Sequence, residues 1–407
     1  MASLSEINAW CRIPRVPDLL RKNEKHAKMF DPAVVPIGPY HRGKSHLSEM
    51  EGHKKEAATA FAGANTNALC NKVSEVADTC RDCYDRSLLL LMSKDEFTRM
   101  LFIDGCFILQ FIDRFVRNDM KDFPVSAHLH GFILRDMFLL ENQLPYLLLE
   151  KLMEVKRVDI DTFLDSVPGT PKRKTQTENR GKSIEGPHRH ILARLQELQL
   201  GPRGETSQLP WKRSWLSFRS ARELVRAGIA IKPGETNFLR EVKFEPGPVW
   251  GRLSLPPIVI DDLTRPRLLN MIAFEMCSGS TDGGYGVMSF VWFLNLLIDH
   301  ADDVKELREA GVLVNMLGSD EEVAEFFNET VADLLPDQQP YYPVINNIND
   351  YRNNKFRVPL YRMLHRRFGS PWAAIAFLVA FVLLVLTVVQ TVYTAIQTHY
   401  TIHPPTK

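Results

Sequence analysis

Cys80-Arg-Asp-Cys83 has the spacing of a redox pair or of half a zinc site, chemistry that needs thiolates held close together. Zinc needs four ligands, and no second Cys-x-x-Cys accompanies the pair. With Cys11, Cys70, Cys106 and Cys277 scattered along the chain, the six cysteines are too sparse for a disulfide framework and read as reduced thiols. Asp104, Asp136 and Glu141 lie in apolar surroundings, where burial lifts a carboxyl pKa toward acid-base work. Nothing in the sequence positions a partner for them, and such carboxylates more often accept hydrogen bonds from backbone ends or from an arginine such as Arg135.

His188-Arg189-His190 sits in a basic stretch and reads as solvated. The glycines of Gly279 to Gly286 lack the Lys-Ser/Thr of a phosphate loop and read as a flexible connection between helices. No Gly-x-Ser-x-Gly elbow, His-Glu-x-x-His helix or kinase signature set is present. The expectation is therefore a protein that is not an enzyme, with no catalytic, cofactor-binding or metal residue assigned and no cofactor.

The elements that must hold these groups are mainly helical. The chain has 407 residues, 45% of them hydrophobic, with 50 Lys plus Arg against 49 Asp plus Glu. That is enough apolar material for a substantial core, and it leaves no charge imbalance to draw nucleic acid. Pro14, Pro17, Pro32, Pro36 and Pro39 predict an extended, ordered strap from Ile13 to Gly43. Helical patterns follow at Leu47 to Phe61, Asp95 to Phe115 and His128 to Val155, the last kinked or divided by Pro145. From about 168 to 215 the chain carries ten Lys or Arg against four Glu around a short helical pattern, and reads as a mobile insertion.

Beyond it, Ser220-Ala-Arg-Glu223 is a capping box and Gly228 a helix stop. Alternation then predicts two or three short strands around a turn at Pro233-Gly234. Helices are expected at Leu268 to Cys277, Val287 to His300 and Val304 to Leu317, and from a second capping box at Ser319-Asp-Glu-Glu322. The fold class is mainly α-helical with a minor small β element and a single C-terminal transmembrane helix.

That helix is expected at 372–392, after a soluble region of 1–370 and before a short tail at 393–407. From Gly369 to Gln397 there is no Asp, Glu, Lys or Arg, and about 20 apolar residues span the roughly 30 Å hydrocarbon core. Arg362, Arg366 and Arg367 precede the span and only Lys407 follows it, so the positive-inside rule places the N-terminal region in the cytosol. Asn328-Glu-Thr330 matches the glycosylation acceptor pattern but would then lie in the wrong compartment.

Several phrases together resemble the plant domain of unknown function 247 family. They are Ile13-Pro-Arg-Val-Pro17, Ile37-Gly-Pro-Tyr-His-Arg-Gly43, Met50-Glu-Gly-His-Lys54, Asp104-Gly-Cys-Phe-Ile-Leu109 and Asp136-Met-Phe-Leu-Leu-Glu-Asn-Gln-Leu-Pro145. Leu255-Pro256, Ile260-Asp261, Asn270 and Ala273-Phe-Glu275 continue the match. Phe30 and Arg219 depart from residues common in the family. The resemblance implies a plant membrane protein of this architecture with no established activity, and for some grass members a link to pollen-pistil recognition. The residues themselves suggest structural roles: Asn142 and Gln143 can satisfy backbone groups disturbed near Pro145, and Tyr40 can dock the strap. The reading is a membrane-anchored protein acting through unknown protein partners and the lipid bilayer, not nucleic acid. A recognition receptor or ligand on the secreted side, or an uncharacterised enzyme, is the alternative.

Overall fold

The computed structural model describes residues 11–402 except 91, 171–187, 203–217, 249, 279–284, 333, 335 and 354–370. The prolines of the strap hold it in an irregular path broken only by α1 (Asp18–Arg21) and α2 (Glu24–Ala27). Four helices follow: α3 (Met50–Ala62), α4 (Thr66–Asp82), α5 (Arg86–Leu89) and α6 (Lys94–Val116). A capping box starts α6, with Glu96 N donating to Ser93 Oγ at 3.2 Å and Ser93 N to the Glu96 carboxylate at 3.0 Å. Its residues from Ile103 to Ile112 are all buried, so α6 is the central rod of the N-terminal half.

The apolar pattern from His128 to Val155 is divided, as the proline requires. α7 (His130–Asp136) and α8 (Tyr146–Met153) are separated by a non-helical stretch, with Pro145 immediately before the first residue of α8. α8 packs on α4 and α6. At Gly105 of α6 a Cβ atom would stand 2.6 Å from Leu152 Cδ1, so glycine is what lets the two helices approach. α9 (Ile160–Asp165) then completes this half.

Inside the basic 168–215 stretch, the short helical pattern is α10 (Ile191–Leu200), with Ile191, Leu192, Leu195 and Leu200 buried in the core. The segment around it that reads as mobile falls mostly outside the described residues. The second half runs α11 (Ala221–Arg226), β1 (Ile229–Pro233), β2 (Lys243–Glu245), β3 (Gly251–Leu255) and β4 (Ile258–Ile260). It continues with α12 (Thr264–Ser278), α13 (Gly286–Leu297), α14 (Ala301–Glu309), β5 (Leu313–Asn315), α15 (Asp320–Ala332) and α16 (Tyr342–Arg352).

One sheet has the order β1-β3-β2, with β1 parallel and β2 antiparallel to β3. The Pro233-Gly234 turn therefore closes no hairpin, and Gly234 N instead donates to Leu255 O at 2.7 Å. β4 and β5 form a separate parallel pair, so the helix expected from Val304 to Leu317 stops early. Gly311, at φ +75°, turns the chain out of α14 into β5.

The Ser220 capping box does not form, because the Ser220 side chain makes no cap hydrogen bond. The buried Asp303 carboxylate takes its place, accepting from Arg222 N at 3.0 Å while its other oxygen accepts from Asp299 N and His300 N. One carboxylate thus closes the starts of both α11 and α14. One apolar cluster runs through both halves. The last helix, α17 (Pro371–Ile402), contains an apolar span at Ile375–Thr398 of which nothing is buried against the rest of the chain.

Candidate functional site

The acidic and amide side chains singled out by the sequence converge on one place, the seam between the strap and the helices. Asp136, at the end of α7 and fully buried, accepts Ala33 N at 3.0 Å, Val34 N at 2.8 Å and Val35 N at 3.0 Å. Burial raises its pKa while the three N–H groups pull it back. Arg135, offered by the sequence as its partner, instead donates to the carbonyl of Lys28 at 3.0 Å. Asn142 continues the ladder, accepting Ile37 N at 2.7 Å and donating to Val35 O at 3.0 Å.

On α6, Asp104 accepts Gly38 N at 2.9 Å and pairs with Lys54 Nζ at 2.6 Å, both side chains being 1% exposed. Lys54 also donates to Pro36 O at 2.7 Å and to Glu51 at 2.7 Å. Gly38, at φ +70°, has Gln143 O 2.9 Å from where a Cβ would stand, so a side chain there would push the strap off. Glu141 accepts Val16 N at 2.8 Å and pairs with Arg21. Tyr40, expected to dock the strap, donates its hydroxyl to Ile13 O at 2.8 Å and packs edge-on against Tyr84.

Asn142 and Gln143 do satisfy backbone groups, as the sequence suggests, but at carbonyls at and just after the end of α7 instead of beside Pro145. Asn142 Nδ2 donates to Asp136 O at 2.9 Å, and Gln143 Nε2 to Met137 O at 2.7 Å and Leu139 O at 2.8 Å. From α12, Asn270 closes the far side by accepting Leu140 N at 2.8 Å and donating to Met29 O at 2.9 Å. Each of these carboxylates is held by backbone N–H groups or a fixed cation. Such groups are poor proton shuttles, since moving the proton would break the bonds that position the chain.

The cysteines require a correction. Cys11 and Cys83 are joined by a disulfide, with Cα atoms 5.4 Å apart across 72 residues of sequence, so they are not reduced thiols. The bond fixes the start of the strap to the end of α4, where Ile13 N also donates to Cys83 O at 2.8 Å. Cys80 takes no part, and burial pushes its thiol up to about 12. The Cys-x-x-Cys spacing misleads because the true partner is distant in sequence; nothing short of tertiary proximity could reveal it.

A second buried polar cluster lies under α13. Glu275 accepts Val287 N at 2.7 Å and Met288 N at 2.8 Å, which caps α13, and takes Gln196 Nε2 at 2.7 Å. Burial pushes its pKa up to about 7. His190, read as solvated, is fully buried instead: its Nδ1 accepts Ala193 N at 3.1 Å at the start of α10 and its ring packs against Phe274. The glycine run Gly279 to Gly286 lies mostly outside the described residues, Gly286 being the first residue of α13. Asp299, His300 and Asp303 come close enough to share a cation, but Asp303 is already committed to three backbone donors.

Burial drives the His190 pKa down to about 3, with Arg189 adding to it. A histidine depressed in the folded state leaves stability intact above its unfolded value, and stability is lost as pH falls from about 6.5 toward the folded value. His190→Asn keeps an N-cap acceptor and removes the titration. Relative to the parent, the variant should gain about 2 kcal/mol between pH 7 and pH 5. Parallel thermal melts at the two pH values check this, and an unchanged difference would mean that the imidazole is solvated.

Asn328, the candidate glycosylation acceptor, lies within α15, where its Nδ2 donates to Asp299 O at 3.1 Å and its Oδ1 accepts from Asn295 at 2.7 Å. That nitrogen is engaged in the folded state.

The chain matches, over residues 13–386, the model of the family described as plant protein of unknown function, DUF247. UPF0481 protein At3g47200 of Arabidopsis thaliana is 24% identical, covering 93% of this chain and 85% of the relative. Putative UPF0481 protein At3g02645, also of Arabidopsis thaliana, is 22% identical over 90% of this chain and 87% of its own length. No solved structure matches. The phrases between Ile13 and Pro145 that carried the resemblance, with Asn270, are the ones that build the strap seam, and the chain belongs to the DUF247 family of plant proteins.

Proposed function

We propose that the protein is a membrane-anchored interaction protein whose rigid helical domain presents a surface to a protein partner. The observation that carries this is the pairing of two features: a 24-residue apolar helix with none of its span buried in the chain, and a set of family-motif polar groups spent on internal bonds. Asp104, Asp136, Glu141, Asn142 and Gln143 hold backbone in place, which supports a function on the outer surface. Deleting the residues after Gly369 should release the domain from membranes in folded form. Carbonate-resistant sedimentation of the truncated chain would show that another segment inserts.

By the charge asymmetry of Arg362, Arg366 and Arg367 against Lys407, the domain faces the cytosol. A second reading, a domain on the secreted side, is the one that the Cys11–Cys83 bond favours, because such bonds persist in oxidising compartments. Protease added to sealed microsomes distinguishes them. Digestion of the domain supports the cytosolic reading, and protection until detergent is added supports the secreted-side one. Absence of glycan at Asn328 is uninformative, because the acceptor nitrogen is bonded within a helix.

A further inference from the structure

Three cysteines meet at the end of α4. Cys83 is bonded to Cys11, and Cys80, buried with a free thiol, lies one short turn before Cys83. Cys83 caps the helix and its N–H donates to Cys80 O at 3.2 Å, a geometry that sets the two Cα atoms about 5 Å apart. That is within the range of about 4.4–6.8 Å that a disulfide needs. The Cys83 sulfur lies 3.3 Å from Thr79 O, so it turns back along the helix toward the turn that carries Cys80.

Two things keep Cys80 and Cys83 from bonding to each other in the docked state. Helical Cβ atoms three residues apart stand about 5–6 Å from each other, wider than the roughly 3.5–4.5 Å across a disulfide, so the last turn of α4 has to tighten. The strap opposes that tightening. Ile13 N donates to Cys83 O at 2.8 Å, and Tyr40 fixes Ile13 in turn by donating to its carbonyl at 2.8 Å. Burial also pushes the Cys80 thiol up to about 12, so at pH 7 only about one molecule in 100,000 carries the thiolate that exchange requires.

We propose that Cys11, Cys80 and Cys83 form a disulfide switch, in which displacement of the strap's first residues lets Cys80 take Cys83 from Cys11. The Cys80 thiolate attacks Cys83 Sγ, and the Cys80–Cys83 bond forms as the Cys11–Cys83 bond breaks. Cys11 leaves as a thiolate and takes up the proton that Cys80 gave up. One disulfide replaces another, so no oxidant or reductant enters. The new bond ties α4 to itself, and the start of the strap is left with non-covalent contacts alone, among them Cys277 Sγ donating to Arg15 O at 3.2 Å. The proposal rests on the Cys11–Cys83 bond and is independent of the anchor and of its orientation.

The test uses the full-length chain purified without reductant and incubated at pH 8, with free thiols then blocked by a maleimide. Trypsin cuts after Arg81, so mass spectrometry reads Cys80–Cys83 as a linked peptide pair distinct from Cys11–Cys83. Tyr40→Phe, which removes the bond to Ile13 and keeps the ring, should speed the appearance of Cys80–Cys83 at least fivefold over the parent. Gly38→Ala, where the new Cβ meets Gln143 O at 2.9 Å, should speed it further, and neither substitution should free Cys11 when combined with Cys80→Ser. Circular dichroism confirms the fold of each variant; should Gly38→Ala not fold, Tyr40→Phe decides alone. Cys11 freed as fast in the Cys80→Ser background, a folded Tyr40→Phe chain that forms no Cys80–Cys83 bond, or a parent isolated without the Cys11–Cys83 bond would overturn the proposal.

Discussion

Asp136→Ala should lower the melting temperature of the soluble region by roughly 7 °C, a loss of about 5 kcal/mol in a domain of this size. The carboxylate is the acceptor for three consecutive backbone donors, Ala33, Val34 and Val35. Truncation strands all three, the Val35 donor in a buried place and the other two at part-buried ones, and each orphaned group costs about 1–3 kcal/mol, most where burial is deepest. Asp104→Ala should be comparable for a different reason, because it takes from the Lys54 ammonium, 1% exposed, its one buried carboxylate and leaves it only Pro36 O and the half-buried Glu51. Lys54→Met combined with Asp104→Leu should recover part of the loss, since a matched apolar pair carries no desolvation cost. Differential scanning calorimetry of the single and double variants reads all of this. An Asp136→Ala domain that melts with the parent would mean that the strap is not docked in solution.

The strap was legible because prolines announce themselves: fixed φ and missing donors at Pro14, Pro17, Pro32, Pro36 and Pro39 leave few conformations. The amphipathic helix α4 (Thr66–Asp82) carries a weak apolar signal, since its polar positions outnumber its apolar ones and only Leu69, Val73, Val76, Ala77 and Cys80 are buried. β5 was hidden inside a helical pattern because three residues of strand are decided by the partner β4, not by local periodicity. The charge of its neighbours hides the burial of His190, although Ile191 and Leu192 directly after it carry the signal of a core helix. For the seam, the residue types pointed to hydrogen-bonded carboxylates, and in Asp136 backbone donors were the correct half of that expectation. Which backbone they would bind could not be read, since Asp136 and Val35 are 101 residues apart.

The Cys11–Cys83 bond carries the other large effect, and it bears on function as well as stability. Closing a loop across 72 residues stabilises by about 4 kcal/mol in the chain-entropy treatment, so Cys11→Ser in the oxidised domain should lower its melting temperature by roughly 6 °C. Reduction under native conditions should be slow, because the two residues are 5% and 1% exposed and exchange requires an attacking thiolate to reach a sulfur. The native protein, denatured without reductant and treated with a maleimide, should therefore take up four labels, on Cys70, Cys80, Cys106 and Cys277. Six labels on protein taken from the plant cell would mean that the bond does not form there, and the arginines before the span would then decide the orientation. Four labels place the folding of the domain where thiols are oxidised, because the cytosolic glutathione pool keeps such pairs reduced as the chain folds. In that case the strap and its seam are built for the secreted side, and partners should be sought among proteins of the same side. Labelling of the Cys83→Ser variant gives the control: five labels, one of them on Cys11, whose only disulfide partner among the described residues is Cys83.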